Sequence, residues 1–330
     1  MTLVTAFDEV IDELRQADRL LLTTHENPDG DALGSLLGMH HVLCEMGKDS
    51  VMFMSPKEMQ LAPEYRHMDF DGLVSEPPPD VGQRTIVFLD CGNIDRMPVD
   101  FAQRPGLSLL NIDHHHDNTN FGTVNLIVPE AACTAEIVFG IAKELEVPIT
   151  PTIADALYVG LVTDTGRFMY ESTTPAAHRM AAELIEAGVS THDVYRRLYE
   201  SLPLARLELL GLALSRVRRS PDGTVILTHI TREDFRHTGS DESDSEGIVD
   251  HLRAIAGPVL AALVRELAGD GREGLRKVSL RATDGSVDVS RIARSYGGGG
   301  HRQAAGFTTA LGLDELLARV RDEVAEQRRT

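Results

Sequence analysis

Short apolar runs that each end in acids or histidines constrain this fold more than any other feature. Residues 19–24 (RLLLTT) lead directly into HENPDGD, residues 85–90 (TIVFLD) end in Asp90, and residues 107–112 (LSLLNI) end against Asp113, His114 and His115. Residues 31–46 show helical periodicity, with Asp31 placed to cap or start the helix. Residues 134–145 and 152–163 also read as helices, and the second runs into Asp164. Strands alternating with helices predict βαβ units and a parallel sheet. Ligands of such sheets bind at the carboxyl ends of the strands, where these acids and histidines fall. The expected fold class is α/β, with a parallel-sheet first domain over 1–187 and helices on both faces.

The text changes over 188–207, which is polar and helical with no strand before it. This segment is expected to link the domains and to act as a hinge. Residues 208–330 are expected to form a smaller α/β domain. Its signals are a helix at 206–217, strands at 224–230, 259–265 and 276–282, and helices at 246–256 and 289–295. The acidic stretch 239–246 reads as a solvated loop.

Composition excludes several classes of function. The chain has 330 residues and a net charge of −19, so a broad basic track for long nucleic acid is not expected. Aromatic residues are 5% and Trp is absent, which argues against stacking platforms for long single strands. The three cysteines form no CxxC pair, so neither a disulfide framework nor a cysteine-rich zinc site is expected. There is no basic-then-apolar leader and no apolar run of membrane-spanning length. A cytoplasmic location follows as the expectation.

Four clusters carry chemistry: His25 with Asp29 and Asp31, then Asp90, then Asp113-His114-His115, then Asp164. Each alone has an ordinary reading as a turn, cap or surface group. Brought to one sheet edge, several carboxylates repel one another unless cations neutralise them. Asp29, Asp31, Asp90 and Asp164 carry the charge that two divalent ions balance. Mixed imidazole and carboxylate donors suit Mn²⁺, Fe²⁺, Co²⁺ or Zn²⁺ better than Ca²⁺. Two such ions can activate water and stabilise the leaving oxygen of a phosphoryl displacement. Asp29 and Asp31 are expected on the same side of an extended loop, with Gly30 allowing a sharp bend.

The segments HENPDGDALGS (25–35), FLDCGNIDR (88–96), NIDHHHDNTNFG (111–122) and LVTDTGRF (161–168) occur in this order. Together with VDVSRIARSYGGGGHRQAAGF (287–307) they resemble the DHH phosphoesterase family and its C-terminal DHHA1 module. The resemblance covers nearly the whole chain. The two-domain organisation is most similar to the NrnA-type nanoRNase/pAp phosphatase branch.

The resemblance implies that His25 and Asp29 bind one metal, that Asp31, His114 and Asp164 bind the other, and that Asp90 bridges both. Mn²⁺ is the implied ion, with Mg²⁺, Co²⁺ and Fe²⁺ as alternatives. His115 would face the scissile phosphate or leaving oxygen. Asp113 reads as a group that orients a histidine, with direct ligation as the rival reading. Asn118 matches a family Asn expected to contact substrate, and could equally hold its loop by an Asx turn. Arg96 could pair with nearby acids or touch phosphate. His116, and His40 and His41 within the first helix, read as incidental or structural, and Cys91 as packing.

Packing and helix propensity do not account for four glycines in a row at 297–300. The following residues would place His301 near a helix start, where backbone N–H groups favour anions. The resemblance implies that Gly298, Gly299, Gly300, His301 and Arg281 form a substrate-binding surface for a phosphate away from the scissile bond. Arg281 also reads as a strand-surface charge, and Arg291, Arg294 and Arg302 as solvated helix charges. A metal domain and a gripping domain would together accept only short substrates.

The implied activity is hydrolysis of short oligoribonucleotides to nucleoside 5′-monophosphates, and of pAp to AMP. The alternatives are a c-di-AMP phosphodiesterase, a RecJ-like single-strand exonuclease, and a catalytically silent nucleotide-binding regulator. The expected partners are thus short oligoribonucleotides and pAp, with c-di-AMP as the rival ligand. No membrane is expected, and a homodimer through the first domain is consistent with the family.

Overall fold

Apolar segments of four or five residues form the strands of the first unit, and helices from before, between and after them in the chain cover one face of the sheet. The computed structural model describes residues 3–56, 58–59, 61–96, 106–200, 202–267, 269, 271–300 and 302–329. The chain divides into two compact units, Met1–Ser201 and Leu202–Thr330. The division falls within the segment 188–207.

The first unit contains α1 (Leu3–Gln16), β1 (Arg19–Thr23), α2 (Gly30–Glu45), β2 (Asp49–Met52), β3 (Thr85–Leu89), β4 (Leu109–Asp113) and β5 (Val124–Ile127). It continues with α3 (Thr134–Glu144), α4 (Pro151–Asp164), α5 (Pro175–Glu186) and α6 (Thr191–Tyr199). The strands form one sheet in the order β2-β1-β3-β4-β5, and every pairing is parallel. The order reverses between β1 and β3, so the crevice at their carboxyl ends is a switch point suited to ligands. Leu20 and Leu22 point to the face packed by the helices, while Leu21 points to the other. This alternation follows from the two-residue period of a strand. The second face carries a smaller cluster of Leu21, Phe53, Val81, Ile86 and Phe88. Burying each such side chain stabilises the fold by roughly 1.5–3 kcal/mol.

The second unit contains α7 (Leu204–Ser215), β6 (Arg218–Arg219), β7 (Val225–Ile230), α8 (Arg232–Thr238), α9 (Ile248–Arg253), β8 (Leu260–Glu266) and β9 (Arg276–Ala282). It ends with α10 (Val289–Ser295), β10 (Gly299–Gly300), β11 (Ala304–Thr309) and α11 (Leu313–Gln327). Its sheet runs β10-β11-β9-β8-β7-β6, with β7 and β8 parallel and the other pairs antiparallel. One face packs Leu280 against Ile292 and Val320; the other packs Leu263 with Leu209 and Leu252. No helix among the described residues is long and apolar enough to cross a membrane.

Two local readings change. Asp29, not Asp31, is the N-cap of α2: its carboxylate accepts from the backbone N–H of Asp31 and Ala32 at 3.0 and 3.1 Å. Asp31 therefore sits in the first helical turn and not in an extended loop. Gly30 makes no bend either; a Cβ there would lie 2.4–2.8 Å from the Thr163 side chain, so it is small to let α2 meet α4.

The glycine run is also explained differently. Residues 304–309 form a strand, so no helix starts after residue 301. Gly299 and Gly300 pair antiparallel with Gly306 and Ala305. A Cβ on Gly298 would meet the Gly306 carbonyl oxygen at 2.2 Å, and one on Gly300, whose φ is +135°, would meet the Ala304 oxygen at 2.5 Å. Close backbone approach in this hairpin accounts for both residues. Of the two residues in β10, only Gly299 has open space at the Cβ position.

Candidate metal centre

The centre is built where β1, β3 and β4 end and where α2, α3 and α4 begin or stop. His25 follows β1 by two residues and is 5% exposed. Its Nδ1–H donates to the Glu26 carbonyl at 2.8 Å, which aims Nε2 at Asp90 Oδ2, 3.5 Å away. A ring held in this way by a carbonyl presents its other nitrogen as a lone pair, the arrangement usual for a metal-binding histidine.

Asp90 directly follows β3, is 2% exposed, and has a φ of +59°. A left-handed backbone is uncommon for a residue with a Cβ and marks a constrained position. Its two oxygens face different partners. Oδ2 faces His25, while Oδ1 lies 3.6 Å from His114 Nε2 and 3.5 Å from His115 Nδ1. His114 Nε2 also lies 4.0 Å from Asp31 Oδ2 and 3.7 Å from Asp164 Oδ2. Donors sharing an ion at bonds of about 2.1 Å lie roughly 3–3.6 Å apart, so these separations suit shared cations with little adjustment.

The donor atoms of His25, Asp29 and Asp90 lie within 4.8 Å of one another, and so do those of Asp31, His114 and Asp164. Asp90, His114 and His115 form a third such group. One oxygen of Asp29 caps α2. The Asp31 carboxylate accepts from the backbone N–H of Thr134 at 2.7 Å and of Ala135 at 2.9 Å, so it lies at the N-terminus of α3. Asp164 lies at the opposite kind of position, the last residue of α4, where the helix dipole opposes a negative charge.

Charge in this pocket is out of balance without cations. Burial, followed by repulsion from Asp90, Asp164 and Asp29, pushes the Asp31 carboxyl well above its usual range. Burial also lifts Asp164 to about 6, with Asp29 and Asp90 adding to the rise against the pull of His114. For Asp90 burial acts upward, but the His25 contact and the charges of His115, His25 and His114 prevail and hold it at about 2. Mixed imidazole and carboxylate donors around like-charged acids fit divalent cations.

Asp113 does something different. Fully buried, it accepts from the His114 backbone N–H at 2.8 Å and the His115 ring Nδ1 at 2.7 Å through Oδ1, and from Asn118 Nδ2 at 2.6 Å through Oδ2. It orients His115, the histidine expected to face substrate. Asn118 also donates to the Cys91 carbonyl, and its Oδ1 accepts from Asn120 N in an Asx turn. The amide of Asn118 thus knits this loop together.

Other candidates have surroundings of their own. His40 pairs with Ser50 Oγ at 3.0 Å, and His41 is tilted against it. Cys91 is buried in the smaller core cluster, and His116 is exposed. In the second unit Arg281 on β9 donates to Asp250 Oδ1 at 3.2 Å and to the Leu280 carbonyl. Arg294 donates to Ser290, and Arg302 to the Gly285 carbonyl. His301 and the side chain of Arg96 lie outside the described residues. Thr134 and Ser35 were not singled out from sequence, yet both donate to buried carboxylates of the centre.

A parallel sheet with a histidine–aspartate centre at its switch point, followed by a mixed-sheet unit, defines a class of metal-dependent hydrolase scaffold. Residues 19–161 match the DHH family, N-terminal domain, and residues 222–326 match the DHHA1 domain. The chain belongs to the DHH family of phosphoesterases. It is 34% identical over 313 residues to a Thermus thermophilus protein named bifunctional oligoribonuclease and PAP phosphatase NrnA, covering 93% of this chain and 90% of that one. It is 27% identical over 305 residues to the Bacillus subtilis protein of the same name, covering 90% and 91%. An exopolyphosphatase-related protein from Bacteroides fragilis has the same fold, with a TM-score of 0.89 at 25% identity over 99% of this chain and 97% of that one.

Proposed function

We propose that this chain is a metal-dependent phosphoesterase that hydrolyses short oligoribonucleotides to nucleoside 5′-monophosphates and pAp to AMP. The observation that carries the reading is the position of Asp90, with one oxygen toward His25 and the other toward His114. We assign His25 and Asp29 to one cation and Asp31, His114 and Asp164 to a second, with Asp90 between them. Mn²⁺ suits these donors; Mg²⁺, Co²⁺ and Fe²⁺ are alternatives. Two divalent ions there supply Lewis acidity, which lowers the pKa of water and offsets charge on phosphate.

The chain's own groups complete the site. Asp113 holds the His115 ring by Nδ1, and we assign His115 Nε2 to the scissile phosphate or leaving oxygen, where it can give up a proton. Glu26 and the α3 N-terminus fix the orientation of His25 and Asp31. The relatives from Thermus and Bacillus supply the substrate class, short oligoribonucleotides and PAP. The net charge of −19 agrees with a substrate held in a pocket and not along a basic track.

The test is a comparison of kcat/KM for 5′-pApA, pAp, c-di-AMP and a long 5′-phosphorylated DNA strand, with Mn²⁺ and with chelator. Metal-dependent preference for pApA and pAp supports the reading. Faster cleavage of c-di-AMP or of the long strand contradicts the substrate assignment, and bound nucleotide without turnover contradicts the enzymatic one.

A further inference from the structure

Thr134 opens α3 and is fully buried. The preceding residue, Cys133, is the N-cap and makes no side-chain cap bond. A threonine at the start of a helix ordinarily reads as a terminus residue whose hydroxyl serves its own helix. Here it serves the centre. Its backbone N–H donates to Asp31 Oδ2 at 2.7 Å, while its hydroxyl donates to Asp90 Oδ1 at 3.0 Å. One residue thus ties together two carboxylates that come from different elements, 103 and 44 residues earlier in the chain.

The two bonds constrain different things. The backbone bond belongs to the α3 terminus and survives any side chain at 134. The hydroxyl bond belongs to threonine or serine alone. The ring nitrogens that face Asp90 come from His25, His114 and His115, groups of the centre itself, whereas the Thr134 hydroxyl stands outside the donor set. A carboxylate is free to turn about its last torsion, which is broad. The Thr134 hydroxyl is bonded to Oδ1 in the orientation in which Oδ1 lies toward His114 and Oδ2 toward His25.

We propose that Thr134 is a positioning residue that holds Asp90 in the orientation required to serve both halves of the centre at once. The proposal rests on the cation-binding reading given above. Groups that orient a ligand through a hydrogen bond typically change metal affinity by about 10–100-fold when removed. The contact is with a ligand and not with substrate, so the loss falls first on metal binding.

The test uses the full-length chain and Mn²⁺ alone, with free Mn²⁺ followed by electron paramagnetic resonance. Wild type is expected to bind two ions. Thr134→Val keeps the shape and removes the hydroxyl, whereas Thr134→Ser keeps the hydroxyl and removes the methyl. Positioning predicts that Thr134→Val weakens Mn²⁺ binding by about 10-fold or more, and that Thr134→Ser stays close to wild type. A packing role predicts the reverse order, because only the serine opens a cavity. Valine binding like wild type, or serine weakened as much as valine, overturns the proposal. Wild type binding fewer than two ions overturns the cation reading itself, and the variants then need not be compared. Melting each chain in chelator checks that both variants fold. Should valine fail to fold, serine weakened as much as Thr134→Ala overturns the proposal, and serine retaining wild-type affinity while alanine loses it supports the proposal.

Discussion

Asp113 and His115, two residues apart, are joined by a 2.7 Å hydrogen bond from ring Nδ1 to Oδ1. Three donors converge on the Asp113 carboxylate, and its pKa is low although burial acts upward, because the His115 bond and charge outweigh it, with Asn118 adding to the effect. With both oxygens engaged as acceptors, the carboxylate holds His115 as a fixed group.

Asp113→Asn keeps the shape but removes the negative charge and replaces one acceptor oxygen with a donor, so the bonds to His115 Nδ1 and Asn118 Nδ2 cannot both persist as they stand. The expected outcome is a fall in kcat of about 100-fold or more, with Mn²⁺ stoichiometry unchanged at two ions. Kinetics with pApA beside a metal titration checks this. Loss of one ion would instead make Asp113 a ligand.

These two outcomes separate readings that the amino-acid pattern left open. The pattern singled out His25, Asp29, Asp31, Asp90, His114 and Asp164 as candidates because each stands at the end of a strand or helix, where polarity breaks an apolar run. It did not show that Asp29 is a helix cap, because Asp-Gly-Asp fits a turn as well as a first helical turn. Thr134 was invisible for a related reason: the Thr at a helix start has an ordinary explanation, and its partners are far away in sequence. The strand after the glycine run was not legible, because the antiparallel approach to Gly306 and Ala305 that explains Gly298 and Gly300 is tertiary. Strand β5 is only four residues long, and Leu126 alone in it is fully buried, so it makes a shorter apolar run than β1, β3 and β4.

Gly34 joins the two helices that carry Asp31 and Asp164. A Cβ at Gly34 would lie 2.5 Å from the Ala156 oxygen and 2.8 Å from the Gly160 nitrogen, both backbone atoms. Gly34→Ala must therefore force α2 away from α4. The expected result is a destabilisation of about 1–3 kcal/mol and a drop in Mn²⁺ affinity, read by chemical denaturation and metal titration. Gly47→Ala is a poor control because its φ is +73°. Gly140 lies inside α3, and a Cβ there would meet open space, so Gly140→Ala should leave metal binding unaltered.

The second unit has its own pH sensitivity. The Arg216 side chain grips both oxygens of Asp234, which is 5% exposed. That bond, acting against burial and joined by bonds from Thr231, lowers Asp234 from 3.8 to about 2. A carboxyl depressed by folding stabilises the fold above its unfolded pKa, and the contribution is lost as pH falls toward its folded one. Wild type should exceed Asp234→Asn by about 2 kcal/mol at pH 7, with the gap closing between pH 4 and 2. Denaturant unfolding across that range checks the sign; a gap that widens on acidification contradicts it.

The most direct measurement counts Mn²⁺ ions bound to wild type and to Asp90→Ala, alongside turnover of pApA and pAp. Two ions and metal-dependent turnover in wild type, with loss of at least one ion and of turnover in the variant, is the predicted result. Two ions bound with wild-type affinity and undiminished turnover in Asp90→Ala would contradict the shared centre.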